Sequence, residues 1–167
     1  MNRIEPLSRD HNRSDFDCGV EPLNAYLRGT ARQHIEKQIS MTYVLVDEVA
    51  TPPKLILGYF TVGICEVMAA EMSPMFAKKY PPKLPAVRLG RLAVEQRQQG
   101  NHFGKALLFA AIKHYWKVAE SVGGVALIVD AKDDRAADFY RHFGFQSFLT
   151  DPLKLFLPLG TVKQLLQ

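Results

Sequence analysis

The spacing of apolar positions divides the chain into short strands interrupted by helices. Arg3 to Leu7 reads as a first strand. From Pro22 to about Gln38, Leu23, Tyr26, Leu27, Ala31 and Ile35 recur at the interval of one helical face. Pro22 suits the first turn of that helix, where its missing N–H costs nothing. Gly29 weakens it by about 1 kcal/mol relative to alanine. Thr42–Val49 and Leu55–Val67, rich in Val, Ile, Leu, Tyr and Phe, read as strands on either side of a proline turn. The next stretch, EMSPMFAKKYPPKLPAV, carries Pro74, Pro81, Pro82 and Pro85 and is expected to be mostly a long loop.

Val87–Val94 reads as another strand, and Gly104–Ser121 as a helix. The helix has an apolar face of Leu107, Leu108, Ala111, Ile112, Tyr115 and Val118, with Lys105, Lys113 and Lys117 on its polar face. Val125–Ala131 is apolar throughout, as expected of a strand covered on both faces. Arg135–His142 reads as a short helix ended by Gly144, followed by closing strands at Phe145–Leu149 and Leu153–Leu159. This order predicts an α/β or α+β fold around one central sheet.

Length and composition narrow the class. A chain of 167 residues is expected to form a single domain, and 47 % apolar with 23 % charged residues excludes a disordered or fibrous chain. No apolar run approaches the roughly 18 residues of a membrane span, and the polar start MNRIEPLSRDHNR lacks the centre of a signal peptide. The expectation is a cytoplasmic protein without a membrane partner. Cys18 and Cys65 are too few for a disulfide framework or a four-cysteine zinc site, and the histidines show no HxH or HExxH spacing, so no metal is expected.

The charge is unevenly placed. Phe76–Lys105 carries seven basic residues and one acid, whereas the rest of the chain has 14 basic and 16 acidic residues. Such a block points to phosphates among the partners, although a solvated basic face would look the same. Within it, VEQRQQGNHFGK joins the strand ending at Val94 to the helix starting near Gly104. Glycines there let backbone N–H groups form a concave nest, and the helix start adds its dipole, a combination that binds pyrophosphate. Arg97 and Lys105 flank the nest. One strand further on, Asp133, Ala136, Tyr140, Gly144 and Phe145 share the segment DRAADFYRHFGF.

These two motifs, about 40 residues apart and in this order, resemble those of the GNAT superfamily of N-acetyltransferases. The resemblance implies a mostly antiparallel mixed sheet of six to seven strands, splayed at the acetyl-CoA site and flanked by helices. Arg97, Gln98, Gln99, Gly100 and Asn101 fit the pyrophosphate loop. His102 stands where Gly or Ala is usual, and Asp133 replaces a commoner Asn. FDCGVEPLNAYLRGTARQ, TYVLVD, LGRLAV, VDAKDD and FYRHFGF extend the resemblance, over nearly the whole chain, to the GNAT toxins of type II toxin–antitoxin modules. Those toxins acetylate the amino group of aminoacyl-tRNA and stop translation. The family implies acetyl-CoA as donor, frequent homodimers, and a small DNA-binding antitoxin as partner.

On this resemblance the donor arm lies along the backbone of Leu92, Ala93 and Val94, and its diphosphate is held by residues 97–102 with Gly104, Lys105 and Asp133. Tyr140 is the acid for the departing thiolate; its alternative is a core aromatic beside Phe139. Lys78, Lys79, Lys83, Arg88 and Arg91 are expected to meet tRNA. Arg91 lies within an apolar strand, on the face of Leu89 and Ala93, and needs either an internal partner or a ligand. VRLGRLAV offers no carboxylate base, and Glu66 and Glu95, at strand ends, could serve only through water. That favours an α-amine, partly neutral at pH 7, over a lysine side chain. Other readings are a small-molecule or protein N-acetyltransferase, and an acyl-CoA-binding protein without turnover.

Overall fold

The computed structural model describes residues 1–167. The chain runs β1 (Asn2–Pro6), β2 (His11–Asn12), α1 (Glu21–Gly29), α2 (Ala31–Glu36), β3 (Met41–Asp47), β4 (Lys54–Leu55), β5 (Gly58–Met68), α3 (Ala69–Met72), α4 (Pro74–Lys79) and β6 (Lys83–Val94). A 3-10 turn at Gln96–Gln98 leads into α5 (Phe103–Val122), followed by β7 (Ala126–Asp130), α6 (Asp134–His142), β8 (Gln146–Ser147), β9 (Lys154–Pro158) and α7 (Leu159–Leu165). Seven strands form one sheet in the order β1-β3-β5-β6-β7-β9-β8. The β1–β3, β3–β5, β7–β9 and β8–β9 ladders are antiparallel, and β6–β7 is parallel. This is the mixed, mostly antiparallel sheet expected from the sequence.

Two compact units form, residues 1–63 with 90–111 and residues 64–89 with 112–167. Neither is a continuous piece of chain, because β5, β6 and α5 each begin in one and end in the other.

In the first unit, α1 and α2 bury Tyr26, Leu27 and Ala31 against Val44, Val46, Ile56, Tyr59 and Ala93. Phe16 meets Tyr59 edge-on at 5.5 Å. The single helix expected over Pro22–Gln38 is two helices. Thr30 leaves helical geometry at φ −120°, where Gly29 and a β-branched residue adjoin and helix propensity is lowest. A small parallel pairing of β2 with β4, not foreseen from the sequence, is stitched by Glu5. Glu5 accepts from His11 Nε2 at 2.7 Å and Lys54 Nζ at 2.9 Å. Burial pushes the Glu5 carboxyl up, but these hydrogen bonds and the Lys54 and Arg3 charges outweigh it and hold its pKa at about 2.

In the second unit, Val67, Met72, Phe76, Leu84, Ala126, Ile128, Phe148 and Phe156 form the core. The expected long proline loop is instead α3, α4 and the first part of β6. Pro74 opens α4 rather than breaking it, and Ser73 Oγ caps the helix by accepting from Phe76 N at 3.2 Å. Phe76 stacks on Tyr80 at 4.8 Å and meets Phe156 edge-on at 5.5 Å, which fixes the segment by burial. Pro85 lies within β6 and uses only its carbonyl, which accepts from Val125 N at 2.9 Å. Ala126–Val129 are all buried, as a two-sided strand requires. The C-terminal α7, which the sequence pattern left unassigned, is anchored by buried Val162.

Candidate active site

The first unit contains the loop after β6. Gln96, Gln98, Gln99 and Asn101 donate their backbone amides to acceptors in the chain, while those of Gly100 and His102 find none. The opening amides of α5 add to these, since the first turn of a helix has no internal acceptors. Gly100 has φ +92°, and a Cβ built there would meet nothing within 4 Å. The loop therefore faces open space with unspent donors, an arrangement that fits a diphosphate. His102 also lies in the left-handed region, at φ +63°. Histidine is among the side chains that tolerate this backbone region. Its side chain is exposed.

The flanking side chains divide. Lys105 is exposed on the first turn of α5, and Gly104 is its half-buried neighbour. Arg97 is exposed but donates through Nε to Glu95 Oε1 at 2.9 Å, and its backbone N–H reaches Glu95 Oε2 at 2.7 Å. Glu95 is buried and each of its oxygens accepts a hydrogen bond from Arg97, so as a base through water it would have to work from within that ion pair. Glu66 is exposed. Gln99 turns its amide inward, donating to Cys18 O and Val94 O, each at 3.2 Å. Gln98 Oε1 accepts from Asn101 Nδ2 at 3.3 Å.

The β6–β7 ladder ends at Leu89–Val129, whereas β6 runs on to Val94. Leu92, Ala93 and Val94 thus lie past the last residue that ladder pairs. Ala93 is buried in the core, and Leu92 and Val94 are half-buried. Arg91 shares the face of Leu89 and Ala93, as strand alternation predicts, and its partner is an aromatic ring. Its Cζ lies 3.5 Å from the centroid of the Tyr26 ring. A π-face satisfies a half-buried guanidinium where the sequence reading considered a carboxylate or a ligand.

In the second unit, Tyr140 lies on α6 and is buried, meeting Phe139 at 5.3 Å and Phe145 at 5.5 Å, both edge-on. Burial pushes its phenol pKa up to about 12. Asp133 is the N-cap of α6, its Oδ1 accepting from Ala136 N at 2.8 Å. That commits one of its oxygens to the fold. Of the basic residues, Lys78 and Lys79 end α4 and Lys83 begins β6, all exposed. They sit on a helix end and a strand start rather than on a free loop. Arg88 differs: it is ion-paired with Asp130 and is not an unpaired cation.

Sequence reasoning passed over Asp17, Asn24 and Gln96, whose hydrogen bonds hold the loop after β6. It also passed over Tyr26 as the partner of Arg91. The signal for the first group was a polar Asp and Asn bracketing the glycine of FDCGVEPLN, a pattern that makes side chain–backbone turns.

The acetyltransferase (GNAT) domain family matches residues 41–147. Among curated relatives, a tRNA-acetylating toxin of Mycobacterium tuberculosis is 30 % identical, over 92 % of this chain and 89 % of the relative. Among solved structures, AtaT complexed with acetyl-methionyl-tRNAfMet is 30 % identical, with a TM-score of 0.91 and all of both chains covered. A tyrosine-to-phenylalanine mutant of the AtaT toxin, bound to the C-terminus of the antitoxin AtaR, is 29 % identical with a TM-score of 0.84, over 98 % of this chain and 97 % of that one. With the strand–loop–helix nest, the seven-stranded sheet and a family match over most of its length, the chain belongs to the GNAT family of acetyltransferases.

Proposed function

We propose that this chain is a toxin-type N-acetyltransferase that moves an acetyl group from acetyl-CoA to the α-amino group of aminoacyl-tRNA and so blocks translation. The observation that carries the reading is the end-to-end match to a toxin captured with acetylated tRNA, at 30 % identity and a TM-score of 0.91. The residues supply the chemistry such a reaction needs. Gly100, His102 and the start of α5 receive the diphosphate, with Lys105 as the unpaired counter-charge and Arg97, shared with Glu95, beside it. The backbone of Leu92–Val94 pairs with the pantetheine arm, and an N–H of this strand polarises the thioester carbonyl.

The neutral amine attacks that carbonyl carbon, a C–N bond forms, the C–S bond breaks and CoA leaves as its thiolate. The amine nitrogen gives up one proton and the sulfur gains one. Tyr140 is the donor at sulfur. A phenol held near 12 is fully protonated at neutral pH, but it is a weak acid towards a thiol of ordinary pKa about 8.5. It therefore acts chiefly by donating a hydrogen bond as charge develops on sulfur. For the amine proton, Glu95 is engaged by Arg97. An α-amine of pKa about 8, lower still when its carboxyl is esterified, needs no protein base because solvent suffices.

Lys78, Lys79 and Lys83 meet tRNA phosphates. A small DNA-binding antitoxin with an acidic or amphipathic tail is the partner that this basic segment would attract. The protein acts as a homodimer in the cytoplasm; no helix is long and apolar enough to cross a membrane.

The test mixes the purified protein with acetyl-CoA and charged tRNA, following free thiol and acetylated aminoacyl-tRNA together. Both should rise in equal amounts. Thiol release with polyamines or free lysine but not with charged tRNA would move the acceptor to small molecules, and binding without thiol release would make this a non-catalytic acyl-CoA protein.

A further inference from the structure

FDCG (Phe16–Gly19) and the start of the phosphate loop lie some eighty positions apart in sequence and are laced together in the first unit. Gln96 donates its backbone N–H to Asp17 O at 2.8 Å and its side-chain Nε2 to Asp17 Oδ2 at 3.2 Å. Asp17 Oδ1 accepts from Gly19 N at 2.8 Å and from Asn24 Nδ2 at 2.9 Å. Buried Asn24 in turn accepts from Cys18 N at 2.9 Å through Oδ1. Gln99 adds a second tie, reaching Cys18 O and Val94 O from one amide. Because Val94 is the last residue of β6, that amide fastens the loop to FDCG and to the donor strand at once.

Glycine is favoured at position 19 by the backbone it adopts there. It has φ +85°, and a Cβ there would stand 3.3 Å from Gln96 Oε1. The Asp17 carboxylate is held below the usual range, first by the Gly19 N–H and then by Asn24, so it stays ionised at neutral pH.

We propose that Asp17, braced by Asn24 and acting through Gln96, is a positioning residue for donor binding: it holds the loop that receives the diphosphate without touching the ligand. This rests on the diphosphate reading of residues 97–105. Two physical effects of Asp17 have opposite signs. As a bare negative charge near a diphosphate it would weaken binding. As an anchor it strengthens binding by lowering the entropy lost when the loop orders around the ligand. Removing the charge while keeping the anchor therefore separates them. In Asp17→Asn, Oδ1 still accepts from Gly19 and Asn24, and Gln96 can rotate its amide to offer Oε1 to the new Nδ2. Asp17→Ala removes the charge and the side-chain part of the anchor together, and leaves the backbone bond from Gln96 N–H to Asp17 O.

The experiment measures dissociation constants by calorimetry without an acceptor, so that the result is independent of which amine is acetylated. The ligands are acetyl-CoA and S-acetylpantetheine, which carries the same thioester arm without diphosphate. Gln96→Ala is included because it cuts the side-chain tie from the loop side and leaves the Asp17–Gly19–Asn24 turn intact. The expected result is that Asp17→Ala and Gln96→Ala each weaken acetyl-CoA about ten-fold and leave S-acetylpantetheine unchanged. Asp17→Asn should bind acetyl-CoA at least as tightly as the parent. If Asp17→Ala binds acetyl-CoA as tightly as Asp17→Asn, or if both ligands weaken equally in the alanine variants, the positioning role is overturned. A parent protein that does not prefer acetyl-CoA to S-acetylpantetheine would overturn the diphosphate reading first.

Discussion

The Arg91 guanidinium carbon lies 3.5 Å from the centre of the Tyr26 ring, and the Tyr26 hydroxyl is itself held by His34 Nδ1 at 3.0 Å and Ser40 Oγ at 3.1 Å. A half-buried cation on β6 is thus matched by an oriented π-face on α1. The pair should be coupled by about 0.5–2 kcal/mol. Denaturant unfolding of Arg91→Met, Tyr26→Leu and the double variant measures the coupling. Strict additivity would mean that the ring does not hold the guanidinium. Arg91→Lys should recover only part of the loss, because an ammonium stacks less well than a planar guanidinium.

Gly100→Asp should weaken acetyl-CoA binding by at least ten-fold. A Cβ meets no atom of the chain there, so the effect does not come from crowding within the protein. It comes from a left-handed φ of +92° that L side chains resist and from a negative charge set where the diphosphate sits. Gly100→Ala carries the first effect alone and should lose less. Calorimetry showing unchanged affinity in Gly100→Asp would remove the loop from the donor site.

Tyr140→Phe should keep the fold and acetyl-CoA affinity and lose about 10²–10⁴ in turnover. The ring packing against Phe139 and Phe145 survives the change, since only a hydroxyl is removed. The pH profile is a separate check. With its pKa pushed up to about 12, Tyr140 stays protonated across the ordinary range, so it contributes no falling limb below about pH 10. kcat/KM should instead rise with pH until the acceptor amine is neutral, at about pH 8 or below, and then level off. A decline beginning near pH 9 would assign the acid to a different group.

Replacing Lys78, Lys79 and Lys83 together by alanine should weaken charged-tRNA binding and flatten its log–log salt dependence by about two to three units. Acetyl-CoA affinity should not change. Arg88 is left out because its ion pair with Asp130 already spends its charge. Filter binding at several salt concentrations reads both quantities, and an unaltered slope would reduce the three lysines to a solvated face.

Much of this was legible in the residues themselves. Runs rich in Val, Ile, Leu, Tyr and Phe marked the strands, and a 3.6-residue period marked α5, because burial imposes those patterns locally. The RQQGN loop stood out because backbone nests and helix starts draw on a few residue types over a short span, and FYRHFGF stood out through its resemblance to the GNAT motif. The helical α4 in a proline-rich stretch and the terminal α7 were not. Each is decided by what its apolar side chains meet: Phe76 against Phe156, for instance, outweighs the composition around it. The same distinction runs through the site. Residue type marked Arg91 as a charge needing a partner, and only the tertiary fold chose Tyr26. It likewise set FDCG beside a loop some eighty residues away. Local pattern records what a segment can do with its neighbours in sequence; side-chain partners across the fold depend on which surfaces meet, and one chain's pattern does not encode that.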